Sequence, residues 1–156
     1  MRFSGTFLTD TTGTPGSEAS LDLQYIMSTA TVSVPTEFWS APPHETLFPW
    51  AQRLNAAADP PQVHSVSYGG DEAGLNHSYA TRFNVELQKA GVRGMSIIVA
   101  AGDDGVGCGE QSSPTHTEAY APNFPASFPA VTTGASRLSL DHSTSVFLRL
   151  IFFDGF

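Results

Sequence analysis

Three carboxyl groups in this chain stand where acid–base chemistry could be done. The apolar run at residues 95–101 breaks at Gly102-Asp103. A strand that ends in this way delivers a carboxyl to the carboxyl edge of a sheet, where open α/β folds build their sites. Glu18 and Asp22, four apart in Ser17-Glu18-Ala19-Ser20-Leu21-Asp22, fall on one face of an expected helix. Two carboxyls held that close tend to share a proton, which keeps one of them protonated well above its usual range and couples their titration. Each feature also has a plainer reading. An acidic first turn complements the helix dipole, and an Asp beside Gly shapes a turn.

Hydrophobic spacing supplies the elements that must position these groups. Ser17 is placed as the N-cap of a helix over 18–30, with Leu21, Tyr25 and Met27 on its apolar stripe. The β-branched run from Thr31 to Val34, continuing to Trp39, reads as a strand. A helix over 45–58 follows, with Pro49 in its first turn and Pro60-Pro61 as its stop. Residues 62–68 read as a short strand closed by Gly69-Gly70, and 75–90 as a helix with Tyr79, Phe83 and Leu87 at four-residue spacing, ended by Gly91 and Gly94. The nearly all-apolar residues 95–101 suit a strand buried on both faces. Strands alternating with helices imply an α/β fold with a parallel, right-handed crossover sheet. Residues 103–129 form a long aperiodic loop and 130–134 a short strand. The apolar tail at 141–156 is either an edge strand or sequence out of register with the fold.

Composition narrows the partners. With 156 residues and 40% hydrophobic content the chain should form one globular domain. Lys+Arg 7 against Asp+Glu 15 gives a net charge of −8, the wrong sign for nucleic acid or an anionic membrane, and suited to an acidic compartment. No run approaches the roughly 18 apolar residues of a membrane helix. Residues 1–10 carry no continuous apolar block, so no signal peptide is expected. Cys108 is the only cysteine, either an unreactive thiol or half of a bridge to sequence elsewhere. Asn76-His77-Ser78 is a glycosylation sequon that counts only in an exported protein. The histidines show no metal-ligand spacing, and His64 on a strand reads as packed or surface rather than as a base.

Four segments, in unbroken order from Ser17 to Gly134, together resemble the sedolisins, or serine-carboxyl peptidases, closest to their lysosomal tripeptidyl-peptidase branch. They are Glu18-Ala19-Ser20-Leu21-Asp22-Leu23-Gln24-Tyr25-Ile26-Met27-Ser28; Val63-His64-Ser65-Val66-Ser67-Tyr68-Gly69 with Asp71-Glu72; Ala101-Gly102-Asp103 through Gly105-Val106-Gly107-Cys108; and Asn123-Phe124-Pro125-Ala126-Ser127 with Val131-Thr132-Thr133-Gly134. The resemblance implies an incomplete subtilisin-like domain, a parallel sheet flanked by helices, over residues 1–134, with 135–156 as a divergent tail. It implies that Glu18 takes the proton from a serine hydroxyl, that Asp22 orients Glu18, and that Asp103 steadies the oxyanion where subtilisins use an asparagine amide. A carboxyl can donate that hydrogen bond only when protonated, so the implied activity needs acid. Asp104 departs from the small residue usual in the family and reads as loop charge.

Ser67-Tyr68-Gly69 match the strand end that pairs with an extended peptide substrate through its backbone. The implied substrates are peptides with a free N-terminus, and the implied location of the parent is lysosomal or secreted. The family's serine lies in a Gly-Thr-Ser turn that does not occur here, and neither Ser136 nor Ser143 to Ser145 fits that place. Its calcium ligands also belong to a region this sequence does not match. The chain alone is therefore expected to be inactive. The alternative is a truncated, non-catalytic relative that binds peptides or pairs with another chain. An unrelated flavodoxin-like domain would demand a phosphate-cradling Gly loop or an Asp-rich metal cluster, and the sequence has neither.

Overall fold

The computed structural model describes residues 2–5, 17–30, 34–40, 46–103 and 122–135. Cys108, Asp104, the serines at 136, 143 and 145 and the apolar tail lie outside the described residues. The central sheet consists of β3 (Val63–Val66), β5 (Ser96–Ala100) and β7 (Thr132–Gly134), in the order β3-β5-β7 with both pairings parallel. A parallel neighbour can be reached only by a crossover, and α3 (His77–Val92) makes it between β3 and β5. The α/β expectation therefore holds. Two smaller ladders accompany the sheet: β1 (Arg2–Gly5) pairs parallel with β2 (Glu37–Ser40), and β4 (Gly70–Asp71) pairs antiparallel with β6 (Asn123–Phe124).

The core lies between one face of this sheet and two helices. In register, His64 faces Ile97 and Val66 faces Val99, and all four side chains are buried. Against them pack Trp50, Ala51 and Leu54 of α2 (Leu47–Ala56) and Phe83, Leu87 and Ala90 of α3, whose spacings put them on single helix faces. Rings of Tyr79, Phe83, Phe124 and Phe128 meet at centroid distances of 5.1 to 6.3 Å and close the core at one end. β5 is not buried on both faces as its apolar run suggests. Ile98 and Ala100, on the other face, are only partly covered.

Local chemistry explains where the elements differ from their expected bounds. The strand expected to continue through residues 34–36 starts only at Glu37, because Pro35 lacks an N–H and Thr36 Oγ1 donates to the Val34 carbonyl at 3.2 Å, holding a bend. α3 starts two residues later than expected because Asn76 caps it, its Oδ1 accepting from the backbone N–H of Ser78 and Tyr79. Gly91 lies inside that helix. The terminator is Gly94 at φ +84°, with Met95 N–H donating to Ala90 O and Gly94 N–H to Gly91 O, the paired bonds of a Schellman end.

α1 (Ser17–Ala30) includes Ser17 as its first residue rather than as its cap. Its covered face also has a different phase from the apolar stripe expected. Asp22 is buried and Ile26 partly so, whereas Tyr25 and Met27 are exposed.

Candidate active site

Position 22 follows position 18 by one turn of α1, as the four-residue spacing requires. The Glu18 side chain lies outside the described residues. Asp22 is 3% exposed and is not without a partner. Burying a carboxyl while an available tyrosine faces water is costly unless something on the inside uses the acid, and such groups concentrate at functional sites.

A second group is assembled at the carboxyl ends of β3 and β5. Val66 pairs with Val99, so the residues that follow these strands, Ser67-Tyr68-Gly69 and Gly102-Asp103, come out at the same edge. The strand expected through Tyr68 ends at Val66, and Ser67 to Gly69 are non-ladder backbone leading into β4. Ser67 is partly buried, and its Oγ is enclosed with no hydrogen-bond partner among the described residues. Tyr68 is exposed. Gly102 has φ +91°, a left-handed step that turns the chain so that Asp103 stands exposed at the rim.

Asn123 ties the two strand ends together. A Cβ on Gly69 would meet Asn123 Oδ1 at 2.6 Å and, closer still, the Phe124 carbonyl oxygen; a Cβ on Gly102 would meet Asn123 Nδ2 at 3.0 Å. The two glycines thus leave the space that one amide side chain fills. Its Oδ1 is buried and accepts no hydrogen bond among the described residues. The segment carrying Asn123 is held in place by the β4–β6 ladder, by Glu72 N–H donating to Pro122 O at 3.0 Å, and by the Ser127 hydroxyl donating to Glu72 Oε2 at 2.8 Å. Sequence reasoning quoted Asp71-Glu72 and Asn123 to Ser127 but gave none of them a place in the site. The available signal was a glycine just past each of two neighbouring strands.

Two described residues, His64 and Glu86, have shifted titrations. His64 donates from Nε2 to the Pro61 carbonyl at 2.7 Å and lies edge-on to Trp39 and Trp50. Burial pushes its pKa below the usual histidine value, only partly opposed by the Pro61 hydrogen bond and the charge of Glu37. It is packed against these rings, one of the two placements expected for it. For Glu86, burial raises the pKa, but hydrogen bonds from Lys89 and Asn55 together with the Lys89 charge leave it lowered overall. Among the described residues no group of three or more His, Cys, Asp or Glu side chains is placed to hold a metal ion.

A parallel sheet with helices over its core face and a Gly-Asp step at the end of its central strand defines an α/β domain consistent with part of a subtilisin-like fold. Among curated proteins the chain is similar to tripeptidyl-peptidase 1 of Homo sapiens, 42% identical over 125 residues that cover 78% of this chain and 22% of that protein. The corresponding proteins of Bos taurus and Mus musculus are 43% and 42% identical over the same shares. No protein-family model matches the chain. These identities place the chain in the sedolisin family as a partial-domain relative, spanning 22% of the length of the curated proteins it matches.

Proposed function

We propose that this chain is the base-and-oxyanion portion of a serine-carboxyl peptidase domain. In this reading Glu18 is the general base, Asp22 orients it, and protonated Asp103 donates to the tetrahedral oxyanion. Ser67, Tyr68 and Gly69 receive the extended peptide backbone. The parent reaction is acyl transfer through a seryl-enzyme, releasing tripeptides from free N-termini at acid pH in a lysosomal or secreted setting. The observation that carries the reading is the shared edge: Asp103 and Ser67–Gly69 leave adjacent strands on the same side, with Asn123 lodged between the glycines. The buried Asp22 supports the helical half. No residue of this chain is assigned as nucleophile, and calcium stays a property of the parent family.

The test is a chimera in which this chain replaces the matched segment of human tripeptidyl-peptidase 1. Release of tripeptides from an Ala-Ala-Phe-type substrate at about pH 4 is expected, falling roughly 100- to 1,000-fold with Asp103→Ala and 100- to 10,000-fold with Glu18→Gln. The isolated chain should show no turnover. Cleavage by the isolated chain that disappears in Glu18→Gln would overturn the part of the proposal that leaves it without a nucleophile. A second reading is a truncated, non-catalytic relative that binds peptides along Ser67–Gly69 or pairs with another chain. Peptide binding by the chain together with a folded but silent chimera would select it.

A further inference from the structure

We propose that Asn76 is an acceptor for an N-linked glycan, a modification separate from the peptidase machinery. Asn76-His77-Ser78 has the required hydroxyl residue two positions on, with no proline between. The other asparagines, at 55, 84 and 123, lack that hydroxyl and are partly buried, whereas Asn76, His77 and Ser78 are all exposed.

The geometry of the cap decides whether the folded protein could carry the sugar. Asn76 Oδ1 accepts from Ser78 N–H at 2.9 Å and Tyr79 N–H at 3.2 Å, so the oxygen end of the amide faces the helix and the nitrogen is the opposite end. In transfer from a lipid-diphosphate oligosaccharide, Nδ2 bonds to the anomeric carbon and gives up one proton. The bond from that carbon to the diphosphate oxygen breaks, and the lipid diphosphate leaves. The amide carbonyl is retained. The N-cap bonds therefore survive modification, and α3 keeps its start with a glycan attached. Tyr79, one turn on, packs against Phe124 at 6.0 Å, so the sugar would stand near the segment that carries Asn123.

The inference needs export, which the proposed lysosomal or secreted setting supplies, and the experiment provides export directly. The full chain is produced in eukaryotic cells behind a cleavable signal sequence, with signal removal as proof of entry. One discrete loss of gel mobility is expected, reversed by peptide N-glycosidase, abolished by both Asn76→Gln and Ser78→Ala, and kept by Ser78→Thr. A signal-cleaved chain with no glycosidase-sensitive shift overturns the proposal, as does a shift that persists in Asn76→Gln. Neither result bears on the chimera's peptidase activity, so the two readings fail separately.

Discussion

At Gly69 a second hydrogen on Cα, in place of any side chain, is a structural requirement. A methyl there meets the Asn123 carboxamide oxygen and the Phe124 backbone, and a backbone oxygen in a paired segment cannot swing aside as a flexible side chain can. Gly70, the next residue, has nothing within 4 Å of where its Cβ would stand. Gly69→Ala should therefore cost about 1–3 kcal/mol, whereas Gly70→Ala should stay within about 0.5 kcal/mol. Urea midpoints of the two variants check this, and equal midpoints would show that the Asn123 wedge yields freely. Gly102 belongs to the same device, but there the positive φ alone already disfavours a side chain.

Among the elements, α2 depends on a residue from the far end of α3. The Arg93 guanidinium donates to the carbonyls of Leu54, Asn55 and Ala57, groups that the end of a helix leaves without intrahelical partners. Replacing Arg93 with alanine should cost about 1–2 kcal/mol by thermal or urea unfolding. Lysine, a point charge that cannot span three acceptors at once, should recover less than half of it. The interplay shows what was legible in the sequence. Helix and strand types followed from periodicity, and α3 could be read because Tyr79, Phe83 and Leu87 repeat at one interval. Long-range partners were invisible, since neither the guanidinium's reach across 36 to 39 positions nor the lodging of Asn123 against Gly69 leaves a local pattern. The phase of α1 was misread for a related reason. An apolar stripe through Tyr25 is the natural inference, and only tertiary packing shows a carboxylic acid occupying the inward position. β1 offered no periodicity to read and was not anticipated.

For the whole molecule, the acid that the proposed chemistry needs acts against the fold. His64 is held neutral by burial, with a pKa below 6.5, while the unfolded chain takes up a proton near the ordinary value. The contribution is fully present above the unfolded pKa and is lost as pH falls from there toward the lowered folded value, because the unfolded state then binds more protons. Between about pH 7.5 and about pH 5.5 the urea midpoint should fall in the wild-type chain and fall less in His64→Leu. Glu86, whose pKa is lowered, stabilises the fold above the usual carboxylate range and stops doing so only in stronger acid, so its contribution is constant across that window and adds no slope there. Equal pH slopes in wild type and variant would remove His64 as the source.

Phe124 has its ring among Phe83, Phe128 and Tyr79 and its backbone oxygen beside Gly69. One residue thus belongs to the greasy interior and to the rim where a peptide would lie. Heat or denaturant that melts the aromatic cluster should dismantle the docking surface in the same step, with no intermediate that keeps its shape for a ligand after losing its interior.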